Sequence, residues 1–111
     1  MLIEAHLLVR SDHPSLADHF PGRPIVPGAL LLDQALAAGL RAGLPALREV
    51  VVAKFVALVR PDTPLIARFE PRTDGKIRLT CVGEFDGATF LSAVLECRGT
   101  PVTGGNPPEE I

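Results

Sequence analysis

Residues 17–39 read ADHFPGRPIVPGALLLDQALAAG. Three prolines and two glycines come first, and residues 20–28 cannot be regular structure, because proline fixes φ and lacks an N–H donor. Pro27 suits a first helical position, where a missing donor costs nothing. The spacing then predicts a helix over about residues 27–42, ended by Gly43 and Pro45. Ala29, Leu30, Leu31, Leu32, Ala35, Leu36, Ala37, Ala38 and Leu40 cover nearly every direction around its axis. A helix that is apolar all round has to be buried on all sides. Inside that run stands a single carboxylate, Asp33, and fourteen positions before it stands His19.

The rest of the chain has the period of strands. Residues 2–9 predict a first strand, and 11–18 a turn with one helical turn near Pro14. Residues 48–60 and 64–71 predict two more strands, separated by a turn at Pro61-Asp62. Asp74-Gly75 and Asp86-Gly87 are hairpin signals, since both central positions of a type I′ turn need positive φ. They bracket a strand over 76–85 and precede one over 88–98. A two-residue loop at Asp86-Gly87 would set Phe85 opposite Ala88 and Cys81 opposite Ser92. Residues 99–111, GTPVTGGNPPEEI, have no means of burying themselves and predict a flexible tail after a single domain over 1–98. The expectation is an α+β chain, with a curved antiparallel sheet of about five strands wrapped around one long central helix. That is the geometry of a hot-dog fold. The sheet covers one side of the helix; a partner or the Pro/Gly loop must cover the rest.

The totals narrow the function. A chain of 111 residues suggests one domain with one core. The net charge of −2 gives no basic footprint for nucleic acid. No apolar stretch approaches the ~20 residues needed to span a bilayer. The N-terminal MLIEAHLLVR lacks the basic start of a signal peptide, which leaves the cytoplasm as the expected compartment. Cys81 and Cys97 have no companions for a zinc site and are expected to be small buried hydrophobes rather than a disulfide.

Asp33 has two readings. With Gln34 and Arg41 it can edge a solvated stripe. Held instead in partly apolar surroundings, a carboxyl stays protonated near neutral pH and becomes a proton donor. His6 falls in a strand and His13 in a turn, both unremarkable positions, and the three histidines lack metal-ligand spacing. His19 differs, because Phe20-Pro21-Gly22 and Pro24 restrain the backbone behind it, and restraint aims a base. Gly28 lies at the helix start, where N–H groups are unsatisfied and the dipole is positive. Base, acid and carbonyl-polarising donor within one short span suit removal of a proton α to a carbonyl with loss of a β-hydroxyl.

HFPGRPIVPGALLLDQAL, residues 19–36, resembles the active-site segment of the β-hydroxyacyl-(acyl carrier protein) dehydratases of the hot-dog superfamily. His19, Gly22, Pro27, Gly28 and Asp33 fall on that family's His-Phe-x-Gly, Pro-Gly and acidic positions. FVALVRPDTPL, 55–65, resembles its strand and turn beside the substrate tunnel. SDHPSLADHFPGRPIVPG resembles the small dehydratases of aryl polyene pigment clusters. The resemblance implies that His19 takes the C2 proton of a 3-hydroxyacyl thioester. It also implies that Asp33 protonates the departing 3-hydroxyl and that the Gly28 N–H polarises the carbonyl, giving a trans-2-enoyl thioester. Phe20, Gly22, Pro27 and Leu32 would line the substrate, with no metal or cofactor. It further implies a homodimer, or a higher even oligomer, in which base and acid come from different subunits. An acidic acyl carrier protein would dock on local arginines: Arg23 and Arg60, with Arg10 and Arg98 as further candidates. Two departures stand out. The glutamine usual four positions after the acid is replaced by Ala37, and the acid is Asp rather than Glu. A hot-dog acyl thioesterase, or a non-catalytic acyl-binding subunit of a synthase complex, are the competing expectations.

Overall fold

Alternation of apolar and polar residues at period two builds the sheet. The computed structural model describes residues 2–16 and 25–98. Its strands are β1 (Ile3–Leu7), β2 (Leu47–Phe55), β3 (Leu65–Pro71), β4 (Ile77–Gly83) and β5 (Thr89–Cys97), with one helix, α1 (Gly28–Arg41), and a 3-10 turn at Pro14–Leu16. The strands form one antiparallel sheet in the order β1-β3-β4-β5-β2. Leu65, Ala67 and Phe69 of β3, Ile77, Leu79 and Cys81 of β4, and Leu91, Ala93 and Leu95 of β5 point to one face and are buried. Each larger side chain among them contributes about 1.5–3 kcal/mol by leaving water. The five expected strands and the one helix are all present, and α1 packs mainly over β1 and β3.

Gly39 lets α1 approach the sheet. A Cβ there would stand 2.7 Å from Cε1 of Phe69, whose side chain is almost wholly buried. The helix ends as its glycine predicts. Gly43 takes φ 110°, the Leu44 N–H donates to the Gly39 carbonyl at 2.9 Å, and the Gly43 N–H to that of Leu40 at 3.2 Å. This Schellman arrangement satisfies two of the helix's last carbonyls and buries Leu44.

The hairpin turns are longer than expected. Gly75 and Gly87 have positive φ, but Asp74 and Asp86 do not, so neither turn is type I′. Each aspartate instead accepts a hydrogen bond at 3.0 Å from the N–H two residues on, Lys76 and Ala88. That local bond holds the aspartate out of the left-handed region. The second loop is closed by the Gly83 N–H donating to the Ala88 carbonyl at 2.9 Å, so Cys81 faces Leu91, not Ser92. Asp62 is the one described non-glycine residue with positive φ, 62°, and its carboxylate accepts the Ser11 N–H at 3.1 Å.

Strand β2 closes one side of the sheet and, among the described residues, has no strand beyond it. Two single-residue bulges, at Arg48 and Val51, interrupt its pairing with β5. Leu47, Val50, Ala53 and Phe55 consequently oppose Cys97, Leu95, Ala93 and Leu91. Val51, Val52, Phe55, Val56 and Leu58 are all exposed, an apolar run along an open edge. Among the described residues no helix is long and apolar enough to cross a membrane.

Candidate active site

Pro27 occupies the N-cap position of α1, one place before the expected first turn, with φ −59° and ψ 143° and no side-chain cap. The Leu31 N–H is the first to reach a helical acceptor, the Pro27 carbonyl at 3.0 Å. Those of Gly28, Ala29 and Leu30 have no acceptor within the helix. They mark its positive end, where a developing negative charge is favoured.

The segment after β2 is tied to this helix entry. The Val26 N–H donates to the Val59 carbonyl at 2.8 Å, an isolated bridge whose two side chains are buried. Phe55, the last residue of β2, lies against Gly28. A Cβ on Gly28 would stand 3.0 Å from Cδ1 and Cε1 of its ring. This contact, between positions 27 apart, was not legible in the sequence.

Asp33 is exposed. The buried side chains of α1 are those of Leu31, Ala35, Ala38 and Gly39. At about 100° per residue, Asp33 points roughly opposite their mean direction. Ala29, Leu40 and Arg41 are exposed on the same outer side, with Leu30 and Ala37 half-buried. In one chain the helix is therefore not buried all round. One side meets the sheet, and the other is a mainly apolar face carrying the helix's one carboxylate. Leu32 is half-buried against the core on a flank of α1.

His19, Phe20, Gly22 and Arg23 lie outside the described residues, as do positions 99–111. Arg60 is exposed and enters none of the ion pairs among the described residues, whereas Arg10 is held by Asp12 through Nε at 3.0 Å. Both cysteines are free thiols: Cys81 is buried, which pushes its pKa up to about 11, and Cys97 is half-buried, with a smaller upward shift of the same cause. A shallow groove beside the β4–β5 turn, lined by Thr63, Pro64, Phe85 and Phe90, contains none of the residues singled out above.

Comparison with known proteins bears on the whole described region. The ApeI-like family model, described as ApeI dehydratase, matches residues 2–93. A segment of 52 residues is 46% identical to erythronolide synthase EryA2 of Saccharopolyspora erythraea, covering 46% of this chain but 2% of that protein. The chain thus spans a small fraction of the length of that relative. Among solved structures, the dehydratase heterocomplex ApeI:P from Xenorhabdus doucetiae superposes with a TM-score of 0.69 at 16% identity, over 87% of this chain and 88% of that one. An uncharacterised protein from Erwinia carotovora subsp. atroseptica gives 0.61 at 20% identity, over 86% and 81%. These likenesses establish the hot-dog fold. With the family model matching residues 2–93, most of the sequence, the chain belongs to the ApeI-like dehydratase family.

Proposed function

We propose that the protein dehydrates a carrier-linked 3-hydroxyacyl thioester to the trans-2-enoyl thioester, within polyene- or polyketide-type acyl assembly. The single observation that carries this reading is the place of Asp33. It is the one carboxylate of α1, set on a mainly apolar face that the chain's own sheet does not cover. A side chain there is positioned to serve a ligand bound where that face meets another subunit. The family membership supports the chemistry, and the matched region contains His19 as well as Asp33.

In the proposed mechanism the imidazole of His19 removes the C2 proton. Negative charge develops on the thioester oxygen and is met by the Gly28 N–H. Asp33 delivers a proton to the 3-hydroxyl as it leaves as water, directly or through a bridging water, and the C2–C3 double bond forms. No metal or cofactor enters the scheme. Phe20, Gly22, Pro27 and Leu32 would line the acyl group, and Arg23 and Arg60 would meet the acidic carrier.

The open β2 edge supports assembly. A nine-residue edge strand with exposed Val51 and Val52 is the kind of edge that proteins cover. We propose a second copy of the chain as its cover, with His19 of one copy and Asp33 of the other sharing a site. The alternative is a different chain, as in the heterocomplex of the similar Xenorhabdus structure. The cytoplasm is the proposed setting, in keeping with two free thiols.

The test is to supply 3-hydroxyacyl carrier substrates and follow enoyl formation. His19→Ala and Asp33→Asn should each lower kcat/KM by about 10²–10⁴-fold. Release of free acid and thiol would instead mean hydrolysis, and unchanged turnover by both variants would leave a binding role only. Mixing the two inactive variants should restore part of the activity if one site draws on two copies.

A further inference from the structure

We propose that Phe55 is a specificity-determining residue, and that its ring selects against acyl groups branched next to the thioester carbonyl. The inference deepens the dehydratase reading and rests on it. Gly28 supplies the N–H proposed to hold the carbonyl oxygen. The Phe55 ring lies against that same glycine, so closely that Cδ1 and Cε1 stand 3.0 Å, and Cγ 3.2 Å, from where a Cβ would be. Even one methyl group on that residue would have to push the ring aside.

The ring's place is set by backbone on both sides. Phe55 ends β2, where it is paired with buried Leu91. The chain just beyond it is held by the Val56 N–H donating to the Phe90 carbonyl at 2.9 Å and by the Val26–Val59 bridge. Phe55 as a residue nevertheless keeps 48% of its surface exposed. A large aromatic fixed at its base and bare on one side is a wall without a filling. A carbonyl oxygen on the Gly28 N–H would sit about 2.9 Å from that nitrogen. The carbon that bears it, and C2 next to it, then come within reach of the ring. A hydrogen at C2 leaves room, and a methyl group there competes with the ring for the same space.

The experiment compares an unbranched 3-hydroxyacyl carrier thioester with both C2 epimers of its 2-methyl analogue, in the wild type, Phe55→Ala and Phe55→Leu, with the assembly mass of each protein measured alongside. One methyl in an apolar pocket is worth about 10–200-fold in kcat/KM. The wild type should prefer the unbranched substrate by at least about tenfold, Phe55→Ala should erase most of that ratio, and Phe55→Leu should fall between. A wild-type ratio near one overturns the inference, as does a Phe55→Ala variant that loses activity on both substrates equally. If both variants lose the wild-type assembly, the ring belongs to the subunit contact and the inference is also overturned. Absence of any dehydration by the wild type is a different result: it removes the dehydratase reading itself.

Discussion

Replacing Gly39 by alanine tests the close approach of helix and sheet. In a helix interior, glycine to alanine is favourable by about 1 kcal/mol. Here the added Cβ would lie 2.7 Å from Cε1 of Phe69, inside ordinary contact distance, and Phe69 is 1% exposed. Its ring is enclosed within β3, opposite Leu79 of β4 and Ile3 of β1, and cannot swing into solvent. Overpacking of this kind costs roughly 1–3 kcal/mol or more. With a severe overlap on an immobile ring, the upper part of that range should apply, leaving a net loss of about 2 kcal/mol. For a domain of this size that lowers the melting temperature by roughly 8–16 °C. The matched control is Gly28→Ala. Its added Cβ meets the Phe55 ring at 3.0 Å, a far milder overlap that a shift of a few tenths of an ångström relieves, so the net change should stay within about 1 kcal/mol. Thermal unfolding of the wild type and both variants, at one protein concentration, gives the comparison. Adding Phe69→Leu should return part of the loss in Gly39→Ala, a coupling of at least about 1 kcal/mol in a double-mutant cycle. A Gly39→Ala protein as stable as the wild type, or more stable, would refute the packing argument.

Val52→Lys places a charge on the open β2 edge and should shift the sedimenting species toward monomer while leaving the circular dichroism spectrum unchanged. Asp62→Ala loses the acceptor for the Ser11 N–H and keeps a strained positive φ, so denaturant unfolding should show a loss of about 1–3 kcal/mol, with Asp62→Gly losing less because the strain goes. The Cys81 thiol has a folded pKa of about 11 against 9.0 for the ordinary thiol. Its contribution to stability is therefore complete below pH 9 and is lost as the pH rises toward 11. Cys81→Ser should flatten the fall of the denaturation midpoint across that window, and Cys97 should react first with a thiol reagent in the folded protein.

Much of this architecture follows from local sequence. The apolar run after Pro27 and the stop at Gly43 and Pro45 gave the helix to within one residue at each end. The strand-like stretch 64–71, and the two Asp-Gly turn signals that bracket 76–85, gave the central strands β3 and β4. Three features needed the folded chain. The bulges at Arg48 and Val51 arise from pairing with β5, and no residue type in REVVVAKF announces them. The hairpin registers turned on aspartate side chains binding their own backbone, which competes with the Asp-Gly turn signal. The Gly28–Phe55 contact joins the ends of two elements whose relative placement only the tertiary fold sets. At the candidate site, helical spacing left Asp33 two roles. Its position opposite the buried face follows only once the side of α1 that meets the sheet is known.

The two bulges also tell where β2 tolerates shortening. Since Arg48 and Val51 are the unpaired residues, removing either would close the ladder while Leu47, Val50, Ala53 and Phe55 kept their inward aim. Removing Lys54 instead would reverse the facing of one part of the strand against the other. The strand thus carries two spare letters, and length variation among related chains should collect at those two positions, trading away local twist while sparing the side chain that meets the helix.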